Sequence, residues 1–412
     1  MKIGLITQWY PPEHGSAALP GTIAAALHAA GHDVEVVTAY PNYPDGVLQE
    51  GWRQRWDWSE HKDGITVHRT PVYVSHDHRA WRRMVNYLSF AVSATYASMR
   101  RLRSVDVIWV HGTPALPALP AMVMRRVFGI PYVLHIQDLW PDTVFASGML
   151  PKRLEPFVRR PLELFCQLSY SAASVIGVIT PGMRAALLER GVENDKITDI
   201  PNWADETIFY PSPADDKRAE LGLPDGFVAM YAGAIGEVQG LDTLVHAAAH
   251  LTEDPRIHIA IVGDGVAKPK LVELVQALGL ENVTFVDPQP LAGMSTVLKS
   301  GDVQVVCLKD LPLYRITLPS KVQATLAAGR PLVVSAGGDA GTLVETAGAG
   351  LACAPGDPDA LAQSIRHAAD AGPDQLQRWA DSGRSYYANH LSEQTGVERM
   401  GRALTRASQA VS

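Results

Sequence analysis

Residues Leu313–Leu332 read LYRITLPSKVQATLAAGRPL, a helix, a glycine turn and the start of a strand. Pro319 suits the first helical turn, Lys321 lies in that turn, and Gly329 supplies a left-handed cap. Arg315 and Lys321 stand six residues apart across the helix start. The positive end of a helix dipole with two cations beside it suits a diphosphate. The same residues would also serve as an ordinary surface helix with solvated charges, so the segments on either side decide between the two readings.

Outward from this stretch, short apolar strands alternate with helices in both directions. Before it come Phe227–Ala232, Ile257–Val262, Val283–Val286 and Val303–Leu308; after it come Pro331–Ser335 and Gly350–Ala354. The first half repeats the design with Lys2–Thr7, Asp33–Ala39, Val105–Val110, Pro131–Ile136 and Val175–Thr180, and with an alanine-rich helix over Pro20–Ala30. Wholly apolar strands separated by helices predict parallel sheets covered on both faces. Between residues 200 and 216 the pattern gives way to a Pro-, Asp- and Ser-containing loop. Two doubly wound α/β domains are therefore expected, 1–200 and 201–390, with a final helical stretch, 391–412, crossing back onto the first. Ligands of such sheets lie at the carboxyl ends of strands. Two sheets facing each other would form an interdomain cleft.

The bulk properties fit this plan. The chain has 412 residues, 47% hydrophobic and 19% charged, with a formal net charge of -7. That length suits two domains, and the acidic balance weighs against a nucleic-acid partner. Cys166, Cys307 and Cys353 are far apart and form no CxxC pair, as expected of reduced thiols in a cytoplasmic protein. No secretory signal or membrane span is read. The segment His78–Arg103 is basic at its start and apolar at near-helical spacing, so it reads as a core-facing helix or as one lying on an acidic bilayer.

The loops after the strands carry the candidate chemistry. Pro11-Pro12-Glu13-His14-Gly15-Ser16 follows the first strand. Gly15 and Ser16 would let backbone N–H groups approach an anion, and Glu13 and His14 could meet protons or acceptor hydroxyls. Tyr231-Ala232-Gly233-Ala234-Ile235-Gly236 and Val262-Gly263-Asp264-Gly265 repeat the small-residue design in the second half. No GxGxxG or Walker A loop is present, which excludes the usual dinucleotide and P-loop sites. His246 and His250 lack an HExxH context and read as a solvated helix face; His76-Asp77-His78 reads as a polar turn. His111 and His135 could face the cleft or be satisfied core histidines. Asp138, at a strand end, could meet a substrate.

With these pieces assembled, the chain resembles the retaining glycosyltransferases of family 4, which have the GT-B fold. The matching segments are PPEHGS, AAGHDVEVVTAYPNYPDG, VHGTP, DLWPD, IPNWADETIFYP, YAGAIGEVQGLDTLVHAA, VGDG, LPSKVQATLAAGRPLV and GAGLACAPGDPDALA. The closest similarity is to bacterial enzymes that build surface polysaccharides with N-acetylamino sugars, often from UDP donors. The resemblance implies transfer of a sugar, of the N-acetylhexosamine class, from a UDP donor with retention and without a metal. Front-face attack, with the leaving diphosphate taking the acceptor proton, is the implied mechanism. It also implies donor contacts at Gly15, Ser16, Gly233, Gly236, Asp264, Arg315 and Lys321, base reading at the backbone around Val286, and catalytic or acceptor contacts at Glu13, Asp138, His14, His111 and His135. Three departures stand out. Ala234 and Gln239 occupy the places of the family's phosphate-binding Arg and Lys, Ile316 and Ala324 those of its paired glutamates, and Gln137 that of the histidine before Asp138. Arg315 and Lys321 are the substitutes expected for phosphate, and Gln323 for a ribose hydroxyl. The acceptor stays open: lipid-linked saccharide, small metabolite or carrier-bound substrate. A sugar-nucleotide epimerase or hydrolase, and a non-catalytic nucleotide-sugar-binding subunit, are the alternatives. Localisation is expected in the cytoplasm, with peripheral contact at the inner face of the membrane possible.

Overall fold

The computed structural model describes residues 1–13, 15–56, 58–75, 80–146 and 155–410. Its chain divides into two compact units, Met1–Ile200 with Gly396–Ser412, and Pro201–Thr395.

The first unit is built on eight strands: β1 (Lys2–Ile6), β2 (Asp33–Ala39), β3 (Trp58–Lys62), β4 (Ile65–Thr70), β5 (Val107–Gly112), β6 (Tyr132–Ile136), β7 (Val175–Val178) and β8 (Ile197–Asp199). They lie in the order β3-β4-β2-β1-β5-β6-β7-β8. All neighbours are parallel except β3 and β4, which are antiparallel. Every residue of β5 and of β6 is buried, so helices must cover both faces. The order reverses at β1, so the switch point lies between the paired strands β1 and β5, at whose carboxyl ends ligands of such sheets bind.

The hairpin β3–β4 is absent from the sequence reading. Its two-residue turn, Asp63-Gly64, has positive φ at both positions, 51° and 79°, the geometry that Asp-Gly dipeptides favour. The strand Trp58–Lys62 (WSEHK) carries almost no apolar residues, so periodicity alone hides it. β5 also runs two residues later than expected, which places His111 inside the strand rather than at its end.

The second unit has six strands, β9 (Phe227–Ala232), β10 (Ile257–Val262), β11 (Val283–Val286), β12 (Val303–Cys307), β13 (Leu332–Ser335) and β14 (Gly350–Cys353). They are all parallel, in the order β11-β10-β9-β12-β13-β14. This is the doubly wound order with its switch point between β9 and β12. Hydrophobic layers flank the sheet: one gathers Leu244, Ala248, Ile259 and Ile365, another Val322, Leu326, Val334 and Tyr387. The helix Ser320–Ala327 begins one residue later than the sequence suggests. Pro319 is the extended residue before it, and Gly329 takes the expected left-handed conformation, φ 63°.

Candidate active site

In the first unit, the loop after β1 is drawn in by one carboxylate. Glu13 is buried and accepts the backbone N–H of Tyr10 at 3.0 Å, Asn42 at 2.8 Å and Tyr43 at 2.9 Å. Burial pushes its pKa up while these three N–H donors hold it down. Both carboxylate oxygens are thus engaged in tying the β1 and β2 loops together, a positioning task where the sequence suggested catalysis. Arg69 reinforces the clamp by donating to the carbonyls of Ala39 at 3.1 Å and Pro11 at 2.5 Å. Gly15 and Ser16 open the 3-10 turn Gly15–Ala18 that leads into the helix Leu19–Ala29. His14 lies outside the described residues, as do His76, Asp77 and His78.

On β5 and β6, His111 and His135 are direct register partners, so their rings share one face, with centroids 6.4 Å apart. His135 is fully buried; its Nε2 lies 3.0 Å from the Ile200 carbonyl, and the Gln137 amide lies 3.1 Å from its Nδ1. Burial lowers its pKa to about 4, against the pull of the Ile200 bond, and burial with neighbouring His135 lowers that of His111 to about 3. Both rings are therefore neutral at pH 7. His135 is a satisfied core residue, one of the two readings its sequence allowed. His111 differs in that its Nδ1 is buried with no partner. Asp138 sits just past β6, half-buried, where Thr113 Oγ1 donates to it at 3.1 Å. Burial raises its pKa and this hydrogen bond opposes the rise. Thr113, which the sequence reading did not single out, is the residue that orients Asp138.

In the second unit, the switch point gathers Gly233, Tyr231 and Lys321. Lys321, in the first turn of its helix, reaches down to β9, where its Nζ lies 3.5 Å from the centre of the Tyr231 ring and bonds the Tyr231 hydroxyl. A side chain at Gly233 would displace the lysine and strain the backbone: a Cβ there would stand 2.5 Å from Lys321 Cε, and φ is +133°. Burial lowers the Lys321 pKa to about 7. A cation held this way is costly alone and strengthened by an arriving anion. The sequence paired Lys321 with Gly233 on chemistry alone; the contact with Tyr231 it did not foresee.

Other expected donor contacts take different roles. Arg315 is exposed and forks onto Asp310, with both bonds at 2.8 Å, so its charge is already offset. It ends the short helix Pro312–Arg315, not the turn that holds Lys321. Gln323 is buried and donates to the Asn202 carbonyl at 2.8 Å, so its amide fastens the 201–211 strap rather than presenting itself to a ribose. The Gly236 N–H is taken by Gln239 Oε1 at 3.0 Å, which turns the family's lysine position into a loop brace. Asp264 is exposed, and its carboxylate caps the N–H of Gly265 at 2.8 Å. Gly263 and Gly265 let the β9 loop press close, since a Cβ on either would stand 2.1 or 2.3 Å from the carbonyls of Gly233 and Ile235. The Val286 carbonyl accepts Gly263 N–H at 2.9 Å.

Two doubly wound units, each with a switch point in its strand order and the second with a half-buried lysine beside a glycine loop, have the architecture of a GT-B glycosyltransferase. The Glycosyl transferase 4-like domain family matches residues 15–203, and the Glycosyl transferases group 1 family residues 226–370. A putative colanic acid biosynthesis glycosyl transferase, WcaI, of Escherichia coli K12 is 32% identical over 379 residues, covering 89% of this chain and 92% of its own. The chain belongs to the family 4 glycosyltransferases and is an enzyme of that class. Among solved structures, sucrose-phosphate synthase from Thermosynechococcus elongatus superposes with a TM-score of 0.74 at 21% identity, each chain covered completely. Anabaena HepE in complex with UDP gives 0.72 at 17% identity, over 98% of this chain and 100% of that one. At these identities the likeness is one of fold.

Proposed function

We propose that the protein transfers a hexosyl group, of the N-acetylhexosamine class, from a UDP donor to an acceptor hydroxyl or amine with retention of configuration. The observation that carries this reading is the ammonium of Lys321, half-buried at the switch point between β9 and β12 and packed on Gly233. A donor diphosphate lying over Gly233 would meet that charge directly. The group that gains charge as the glycosidic bond breaks is the β-phosphate, and a preorganised cation stabilises it most at that moment. In this reading the departing UDP takes the acceptor proton, the acceptor oxygen or nitrogen forms the new bond to the anomeric carbon on the same face, and no metal takes part. Asp138, held by Thr113, contacts the sugar or the acceptor. Relatives support the donor class: HepE has been crystallised with UDP-glucose, and a trehalose-6-phosphate protein of E. coli with UDP-2-fluoro glucose. The free thiols of Cys166, Cys307 and Cys353 fit action in a reducing compartment.

The test measures UDP binding calorimetrically and product formation from a panel of UDP-sugars, with lipid-linked, carrier-bound and small acceptors. Lys321→Met is expected to weaken UDP binding at least about tenfold, the scale of one charge-assisted hydrogen bond, and to abolish most transfer while the fold stays intact. Unchanged binding in that variant would overturn the donor assignment. Sugar released or isomerised from the donor with no acceptor present would favour a hydrolase or epimerase, and tight UDP binding with no turnover would favour a binding subunit.

A further inference from the structure

Lys321 and the glycine loop beside it come from different elements. The loop 233–236 follows β9, whereas Lys321 stands in the first turn of the helix Ser320–Ala327. The loop brings no cation of its own. Ala234 and Gln239 occupy the places of the family's arginine and lysine, and the Gln239 side chain accepts the Gly236 N–H. The positive charge therefore has to be delivered from a neighbouring element on a flexible four-carbon stem. Such a stem loses much rotamer freedom when fixed, so its seat must hold it.

No carboxylate forms that seat. Among the described residues none pairs with Lys321, and burial pushes the pKa of the adjacent Cys307 thiol on β12 up to about 12, which keeps it neutral. What meets the ammonium is Tyr231 of β9. The Lys321 Nζ lies 3.5 Å from the centre of its ring, close range for a cation over an aromatic face.

The same ammonium bonds the Tyr231 hydroxyl, which in turn donates to the Ala234 carbonyl at 2.5 Å. A phenol has one proton to give. Since that proton goes to Ala234, the oxygen is left to accept from Lys321. Burial raises the Tyr231 pKa, so the phenol keeps its proton. The ring itself is fully buried, in the core cluster that also holds Leu244, Ile261 and Cys307. A rigid side chain thus fastens the lysine of one element to the anion loop of another.

We infer that Tyr231 is a positioning residue of the donor site, its ring and hydroxyl seating the Lys321 ammonium beside Gly233 so that an arriving diphosphate meets a cation already in place. The inference rests on the donor reading of Lys321 and adds to it a residue that acts through that lysine.

The experiment measures UDP affinity calorimetrically for the full chain carrying Tyr231→Phe or Tyr231→Leu, each alone and combined with Lys321→Met. Tyr231→Phe, which keeps the ring, is expected to weaken UDP binding about fivefold, and Tyr231→Leu more than about tenfold. With Lys321→Met already present, the same changes should matter less than about twofold, because the group that they position is gone. Proton uptake is a second readout, one that a merely structural tyrosine would not move. At pH 8 the wild-type protein is expected to take up close to one proton per UDP. In Tyr231→Leu the released lysine is already charged before UDP arrives, so uptake should fall to near zero. Circular dichroism and the melting temperature check folding; should Tyr231→Leu fail to fold, Tyr231→Phe carries both measurements at smaller size. Equal losses with and without Lys321→Met, unchanged proton uptake, or wild-type affinity in the folded variants would overturn the inference and leave the donor reading standing. Absence of UDP binding by the wild-type protein would overturn both.

Discussion

Lys321 is the side chain on which the proposed donor contact of the second unit rests. Its folded pKa of about 7 lies below the ordinary lysine value of 10.5, so the folded protein binds fewer protons than the unfolded chain between those pH values. Stability therefore rises with pH through that window, and the lysine weakens the fold most below pH 7. Lys321→Met should accordingly raise the melting temperature at pH 7 while weakening UDP binding, a pairing of effects that a merely structural lysine would not show. A bound diphosphate restores the charged form. Calorimetry at pH 8 in buffers of different ionisation enthalpy should thus show uptake of close to one proton per UDP. Gln323 offers the contrast. Because its amide holds the Asn202 carbonyl, Gln323→Met should cost about 1–3 kcal/mol of stability, measured by denaturant unfolding, and leave UDP affinity within about twofold. The sequence named both residues as donor contacts. Partners that lie far away along the chain, Tyr231 for one and Asn202 for the other, give them different tasks, and no local pattern records such partners.

At the level of elements, the strands and helices were largely legible because the buried parallel strands are mostly apolar. The exceptions are instructive. Trp58–Lys62 is a polar edge strand, and only the Asp63-Gly64 dipeptide marked it. The glycines of the β9 and β10 loops were read together as anion-binding, yet they divide by what they touch. Gly263 and Gly265 make room for backbone, whereas Gly233 makes room for Lys321. Gly233→Ala should push the lysine from its place over Tyr231, and with φ at +133° it adds about 1–2 kcal/mol of backbone strain. A loss of UDP binding comparable to that of Lys321→Met, with an added fall in melting temperature, is the expected result. In the first unit, β5 and β6 set two neutral imidazoles side by side. Their folded pKa values of about 3 and about 4 lie below 6.5, so stability is fully present above the unfolded value and is lost as pH falls. Each ring contributes a slope of about 1.4 kcal/mol per pH unit between its two values. His111→Leu should flatten the acid limb of the stability curve by that amount over pH 6 to 4, followed by urea unfolding at each pH.

Across the whole molecule, the polypeptide passes between its two units twice, at Ile200–Pro201 and again at Thr395–Gly396. The returning segment is structural. The helix Glu393–Gln409 buries Met400, Ala403, Leu404 and Ala407, and Arg399 and Arg406 reach the carbonyls of Asp199 and Asp195. In topological terms the second unit is an insertion into the first, not a tail attached to it. A genetic cut after residue 200 would consequently strip the amino-terminal portion of its closing helix, while residues 201–395 form a cassette whose second end falls in the first turn of that helix. Chimaeras that test the proposed donor role of the second unit should therefore exchange that cassette and leave the last seventeen residues with their own host.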